Sequence, residues 1–585
     1  MTTTPTDPTT TAGDPTAPST APSPALSPCE LPLSVGQEAM WISWQVDPEQ
    51  WTHIIPAPFQ VTGTLDPARL RQAVAALGEA YPQLRARVVR VAGEHRLSWQ
   101  DAPAIPVTEH TVTGDPTPAI RRVWQRPFDL RNGPLARIDL FHGDERTVLL
   151  LTIHHLVFDG ASVLVLLDGL RRAYAGQPLS VPEHRAPLIA FARRSRELTD
   201  TPAGDALRAH WRAALGSDVP DFDLPASLDD PGFAVLSTAV PAELVPRLRA
   251  RAEELGTSYF TVLFAAYFAL LRRFTGRDEL LVSIPYHGRA GEQLQELVGY
   301  FVNVLPIRHR LEGTTGFAEL VQRLRGEVRA ALTHGDLPLP AILREVGLTG
   351  WDAHARTHQS VFQYWHAGLR ADVDVQRLRL QLQLQLQADD ADDDSCLLSL
   401  LDIESSADYG LAVMVREDSG GTHVLWKNPS GSVGPTLLAA LSTGYTELLT
   451  AIARDPRQSL AELTDPLVVP TPRDRPAPPA GDTPAPATAP ATTGPTPDTT
   501  SGPAPTSLPA TLALWEEVLG IDDIDPDDSF FELGGHSLLA SSLVLAVSDY
   551  FGVEISVRAL FETPRLAEFA AHIDAQLAAE GAPVG

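Results

Sequence analysis

A large α/β body in two lobes followed by a small all-helical bundle is the fold class the sequence predicts, on three observations. Strand-like apolar runs such as VLLLTI (148–153) and LLVSIP (280–285) alternate with helical runs from Leu31 to about Leu463. That body of roughly 430 residues is too large for one ordinary core, so it must divide. A proline-rich stretch then separates it from a short periodic segment, 507–579, whose apolar residues recur at helical spacing.

Taken in order, residues 1–28 hold 23 Thr, Pro, Ala or Ser, too little apolar surface to offset the entropy of ordering, and are expected as a disordered tail. The first lobe is placed at 31–205 and contains ARLRQAVAALGEAY (68–81), where Leu70, Val74 and Leu77 predict a helix. The break between lobes is expected near 200–215, and the second lobe at 206–465. Within it, RLRLQLQLQLQADDADDD (377–394) alternates leucine with polar residues at a period of two, which predicts a strand at a lobe edge. Residues 466–506 carry 13 prolines in 41 positions and read as a flexible linker with a reach of roughly 35 Å, or up to ~125 Å if stiff. Three amphipathic helices, TLALWEEVLG, SLLASSLVLAVSDYFG and RLAEFAAHIDAQL, are expected in the bundle at 507–579, with 580–585 as a tail.

Composition excludes several functions. The net charge of −28 repels nucleic acid and anionic membrane surfaces. No apolar run approaches the ~18–20 residues of a membrane span, and the N-terminus lacks the basic and apolar regions of a secretory signal, so a cytoplasmic protein is expected. Two cysteines, Cys29 and Cys396, make no disulfide framework, and no metal is called for. The chain has one lysine, Lys427, with no glycine-rich loop ahead of it, so any chemistry that needs ATP must come from another protein.

The strongest local signal is TIHHLVFDG, which places His154, His155, Asp159 and Gly160 directly after a buried strand. In isolation a His pair at a strand end is more often structural than catalytic. The segment resembles the HHxxxDG motif of the condensation domains of nonribosomal peptide synthetases, a family related to chloramphenicol acetyltransferase, and the likeness continues along 31–465. LPLSVGQEAMW (31–41) resembles the family's opening motif with Ser34, Gln37 and Trp41 in place, and YPQLRARV (81–88) its second, with Tyr81 where histidine is usual. RPFDLRNGPLAR, RDELLVSIPYHGR, VGYFVNVLPIR, HGDLPLPAILREV and SVFQY follow in the family's order.

The resemblance implies two chloramphenicol acetyltransferase-like lobes in a V-shaped pseudo-dimer, with a tunnel between them and His155 at its middle. His155 would accept a proton from an attacking amine or hold that amine in line, and by strand alternation His155 rather than His154 would project into the tunnel. Asp159 is tempting as a partner that orients His155; the family reading instead pairs it with an arginine, for which Arg289 is the candidate, a solvated surface role being the alternative. Gly160 is read as a residue whose loop leaves no room for a Cβ. Asn303 is assigned no chemical step.

DSFFELGGHSLLASSL (528–543) reads locally as a Gly534–Gly535 turn with Ser537 capping the next helix. It also resembles the LGGxSL attachment site of peptidyl carrier proteins, which implies a covalent 4′-phosphopantetheine arm on Ser537. From 510 to 585 the net charge is −12, which favours basic partner surfaces. The implied protein is a condensation–carrier didomain that forms an amide between a donor thioester on an upstream carrier and an amine on its own. Its expected partners are that donor carrier, a stand-alone adenylating enzyme, a phosphopantetheinyl transferase, and a downstream release or elongation enzyme. The alternatives are an ester-forming acyltransferase with a hydroxyl nucleophile, or a non-catalytic scaffold that presents the carrier.

Overall fold

The computed structural model describes residues 26–464 and 506–580 apart from internal stretches, the longest being 221–233, 349–356, 367–382, 387–395 and 401–409. Most of the expected N-terminal tail, nearly all of the linker, most of 377–394, the Gly534–Gly535 turn and the last five residues lie outside the described residues.

The first lobe begins with β1 (Glu30–Pro32), α1 (Val35–Val46), β2 (Ile54–Gly63) and α2 (Pro67–Ala80). β3 (Arg87–Val91), β4 (Glu94–Ser98), β5 (Val107–Thr111) and α3 (Thr117–Trp124) follow. β6 (Ala136–His142), β7 (Thr147–His154), α4 (Gly160–Tyr174) and α5 (Arg185–Asp200) complete it. α2 starts where Asp66 accepts from the amides of Ala68 and Arg69 with Pro67 at its first position, and it buries Leu70, Val74 and Leu77 as the spacing predicts. The region 200–215 is helical: α6 (Asp205–Leu215) places Trp211 and Leu215 in the second core, as Leu198 of α5 already does, so the change of core falls within α5, between Ile189, which packs on the first core, and Leu198.

The second lobe holds α7 (Leu244–Glu254), α8 (Tyr259–Thr275), α9 (Glu292–Gln295), α10 (Phe317–Thr333), α11 (Leu339–Glu345), α12 (Pro435–Arg454) and α13 (Leu460–Leu463). Its strands β8 (Ala234–Ala239), β9 (Glu279–Tyr286), β10 (Asn303–Arg310), β11 (Ser360–His366), β14 (Leu411–Asp418) and β15 (Gly421–Asn428) form one sheet in the order β10-β9-β11-β14-β15-β8. α8 is apolar on every side, and the sheet, α10 and α12 enclose it around Phe264, Phe268 and Trp426. α12 is long and apolar enough on average to cross a membrane, but Ser442, Thr446 and Glu447 interrupt its apolar residues, and Leu441, Tyr445 and Ile452 are buried in this core.

Two strands leave the second lobe's stretch of sequence. β12 (Gln383–Leu386) and β13 (Cys396–Leu400) extend the first lobe's sheet, whose order is β12-β13-β2-β7-β6-β5, with Cys396 opposite Gly63 and Leu400 opposite Phe59. The leucine alternation thus produces an edge strand, and the edge belongs to the other lobe.

Among the described residues the terminal bundle has four helices rather than three: α14 (Leu508–Leu519), α15 (Ser537–Phe551), α16 (Val557–Glu562) and α17 (Leu566–Glu580). The extra one, α16, has six residues, too few for a period to register. It is fixed by Ser556, which accepts from the Ala559 amide, and by burial of Val557 and Leu560. Trp515, Phe530, Leu543, Val547, Phe569 and Ile573 form the bundle's core.

Candidate active site

β7 ends at His154, and His155 opens a 3-10 turn, His155–Val157. The alternation argument for the two histidines therefore does not apply, because His155 is no longer in the strand. His154 is 4 % exposed: its amide bonds to Leu135 O, its Nδ1 accepts from the Leu156 amide at 3.1 Å, and its ring lies edge-on to Phe128 and His53. Burial pushes its pKa well below the ordinary value, with the neighbouring imidazoles of His53 and His155 adding to the effect. This histidine is a neutral cap of the turn.

His155 is only partly buried. Its amide donates to His53 O at 2.7 Å and its Nδ1 lies 2.6 Å from Phe158 O. A carbonyl only accepts, so Nδ1 carries the proton and Nε2 keeps the lone pair of the neutral ring. Burial lowers its pKa below 6.5, while the Phe158 carbonyl and the Asp159 carboxylate oppose that shift. Tyr300 packs edge-on to the ring at 5.2 Å, bringing the second lobe to within contact of the histidine. His53, also from the first lobe, is held neutral by burial and His155, its pKa lowered to about 3.

Asp159 caps α4 and does not touch the His155 ring. Its Oδ1 accepts from the Ser162 amide (2.8 Å), the Ser162 hydroxyl (2.8 Å) and Arg289 Nη2 (2.7 Å), and its Oδ2 from the Phe301 amide (3.2 Å). Both side chains of the ion pair are buried, 1 % exposed for Arg289 and 3 % for Asp159. Arg289 Nη1 also donates to Leu294 O (2.6 Å) and Leu297 O (2.8 Å), and its guanidinium lies over the Phe301 ring. The pair joins α4 of one lobe to the loop after β9 of the other.

Gly160 departs from expectation. A Cβ there would meet nothing within 4 Å, so the residue, exposed at the first position of α4, borders open space instead of a tight loop. Other motif residues act through the backbone. Ser34 and Gln37 form a capping box that starts α1, and Gln37 Nε2 reaches Leu156 O at 2.7 Å, tying α1 to the turn that carries His155. Trp41 stacks on Trp44 in the first core. Tyr81 is buried beside Gly169 of α4, so it serves packing of α2 on α4. Asn303 donates to Gly335 O and Leu337 O and accepts from the Leu339 amide, holding the entry to α11.

Sequence reasoning missed Ser162, whose hydroxyl lies 2.8 Å from Arg289 Nη2 and 3.0 Å from Gly299 O, joining the Asp159 knot to the second lobe. The available signal was a serine three residues after a helix-capping aspartate. Tyr300 and His53 carried no signal, because only the tertiary fold brings them to His155. In the bundle, Ser537 is the first residue of α15 rather than the residue before it.

A condensation domain family model matches residues 29–466, and a phosphopantetheine attachment site model matches 510–573. The chain belongs to the condensation domain family. More particularly, it joins a condensation domain to a carrier domain that has a site for covalent 4′-phosphopantetheine. Tyrocidine synthase 3 of Brevibacillus parabrevis is 30 % identical over 338 residues, 56 % of this chain and 5 % of that protein. Phosphinothricin tripeptide synthetase PhsB of Streptomyces viridochromogenes is 32 % identical over 358 residues, 57 % of this chain and 30 % of that one. The chain thus spans less than a third of the length of these two relatives. Among solved structures, the X-domain from teicoplanin biosynthesis superposes with a TM-score of 0.63 at 20 % identity, over 75 % of this chain and 98 % of that one. SgcC5 from Streptomyces globisporus superposes at 0.56 and 25 % identity, over 73 % and 100 % of the two chains.

Proposed function

We propose that the chain condenses a donor acyl or peptidyl thioester, presented by an upstream carrier, with an amine held on its own carrier at Ser537, forming an amide. The observation that carries this reading is the fixed tautomer of His155, proton on Nδ1 and lone pair on Nε2, at the contact of the two lobes. The 4′-phosphopantetheine arm, when bound, supplies a terminal thiol that holds cargo as a thioester. Ser537 fits the attachment: as first residue of a 15-residue helix it sits among amides with no intrahelical partner, a setting that favours a phosphodiester anion.

His155 Nε2 accepts the proton as the amine nitrogen bonds to the carbonyl carbon, and returns it to the departing sulfur as the C–S bond breaks. A strong base is unnecessary, because an α-amino group with a pKa of about 8 is partly neutral near pH 7. Fixing two tethered reactants provides much of the acceleration. Asp159, Arg289 and Ser162 hold the lobes and the start of α4 in register and take no part in proton transfer. The open space at Gly160 is assigned to substrate. Gly160→Leu is therefore expected to melt within a few degrees of wild type and to lose at least tenfold in condensation; full activity in that variant removes the assignment.

Only about 40 residues separate the two family matches, too few for an adenylation domain, so the amine is loaded by an adenylating enzyme or domain placed elsewhere. A phosphopantetheinyl transferase installs the arm, and the acidic carrier suits basic partner surfaces in the cytoplasm. Ser537 is the single attachment point: coenzyme A and a phosphopantetheinyl transferase should add one arm to wild type and none to Ser537→Ala by intact mass. Ester formation is the second reading, since SgcC5 was solved with a vicinal diol, a hydroxyl compound. Alkaline hydroxylamine, which cleaves an ester product and spares an amide, decides between them.

A further inference from the structure

Tyr300 reaches the site on a clamped stretch of backbone. Leu297 O accepts from Arg289 Nη1 (2.8 Å) and Val298 O from Gln83 Nε2 (2.8 Å), while the Gly299 amide donates to the Ser162 hydroxyl (3.0 Å) and the Phe301 amide to Asp159 Oδ2 (3.2 Å). Gln83, Ser162 and Asp159 belong to the first lobe, so three of its side chains fix the backbone on either side of a second-lobe tyrosine. The Tyr300 ring then stands edge-on to the His155 imidazole, with centroids 5.2 Å apart and planes at 84°. Its other neighbour is Gly36, in the first turn of α1, where a Cβ would stand 2.9 Å from Tyr300 Cε1 and 3.3 Å from the phenol oxygen. A helix favours alanine over glycine, so glycine weakens α1 here, and the ring that fills the space is the reason for it. The next residue, Gln37, donates to Leu156 O in the turn that carries His155.

Among the described residues, the polar contact of the His155 ring is Nδ1 with Phe158 O. A single hydrogen bond leaves the ring free to pivot about it, and a pivot of roughly 10–20° carries Nε2 off the line of proton transfer. An aromatic edge against the imidazole removes that freedom. We infer that Tyr300 is the positioning residue for His155: its ring, seated on Gly36 and delivered by the Gln83–Ser162–Asp159 clamp, fixes the imidazole so that Nε2 meets the attacking amine. The inference rests on the condensation reading above and adds the residue through which the contact of the lobes acts on the chemistry. Asp159 reaches His155 by this route, through the Phe301 amide and the ring beside it. The titratable groups around the imidazole are His53 and His154 of the first lobe, Asp159 at the start of α4, and Tyr300 itself. Tyr300 shares in the burial that lowers the His155 pKa, and its removal leaves the other three in place.

Tyr300→Ala, Tyr300→Phe and Gly36→Ala test this in the full chain carrying its arm. Tyr300→Ala should lower kcat at least tenfold with KM for the carrier-bound amine within threefold of wild type, and the acid limb of its rate profile should move up toward pH 6.5 as water reaches the imidazole. Tyr300→Phe keeps the ring edge and should stay within threefold in kcat, with the wild-type limb. Gly36→Ala suits the helix yet forces the ring aside, so kcat should fall at least fivefold, and the double variant Gly36→Ala/Tyr300→Ala should be no slower than Tyr300→Ala alone. Wild-type kcat in Tyr300→Ala, or losses that multiply in the double variant, overturns the assignment. Should Tyr300→Ala fail to fold, Gly36→Ala decides, and undiminished kcat there overturns it. Histidine 13Cε1 resonances, with that of His155 identified by its loss from His155→Ala, report the rise in pKa without turnover. If the wild type shows no His155-dependent condensation, the reading above fails and this titration still judges the contact: an unchanged His155 pKa in Tyr300→Ala removes it.

Discussion

Asp159→Asn is expected to lower the melting temperature of the large body by roughly 6–20 °C, together with its activity. The carboxylate receives four hydrogen bonds, one from a guanidinium that is itself 1 % exposed. An amide keeps the size but removes the charge and turns a donor toward other donors. Breaking a buried pair from one side costs about 3–5 kcal/mol, because the remaining charge is left uncompensated. That is a large part of a domain stability of ~5–15 kcal/mol, and each kcal/mol shifts the midpoint by ~2–4 °C at this lobe size. Arg289→Ala should do the same, and the double variant should cost less than the two singles added. Additive losses, or an Asp159→Asn protein as stable as wild type, would show that the pair does not tie the lobes.

His155→Ala is expected to lower condensation by about 10²–10⁴-fold while Ser537 is still pantetheinylated at the wild-type rate. The ring's pKa is lowered by burial, so the neutral, active form persists below pH 6.5, and the acid limb of the wild-type rate profile should lie below that value. Stability follows the same sign. His53, His154 and His155 all bind protons less readily folded than unfolded, so their contribution is full above about pH 6.5 and is lost as the unfolded chain protonates on acidification. For His53 the loss continues down to about pH 3. His154→Ala should act mainly on stability, since that ring caps a turn. Full condensation by the His155→Ala protein would mean that positioning alone suffices.

How much of this was legible in sequence depended on whether the signal was local. The strands around 148–153 and 280–285 and the face Leu70–Val74–Leu77 were, because burial imposes the period directly. The motif order singled out His155, Asp159 and Ser537 as candidates and suggested the pairing of Asp159 with Arg289 that the structure contains. What was not legible arises from contacts distant in sequence. The turn at His155 ends the strand one residue before alternation assumes, and it is held by Gln37, 119 positions away. Ser162 and Tyr300 become part of the site only when Gly299 and α4 meet. Gly160 was misread because a glycine at the start of a helix in such a motif marks either crowding or an opening, and composition does not separate the two.

The loan of β12 and β13 to the first sheet bears on how such a chain can be cut and rejoined. A fragment ending near residue 205 would carry β2 with a bare edge, its amides and carbonyls opposite Cys396–Leu400 left to water or to another chain. The complementary fragment would carry two strands with no sheet to join. The lobes are therefore not exchangeable halves, although each has its own core. Hybrids that graft one condensation specificity onto another should keep 30–464 in one piece and be spliced in the proline-rich segment beyond it, where the sequence offers no sheet to interrupt.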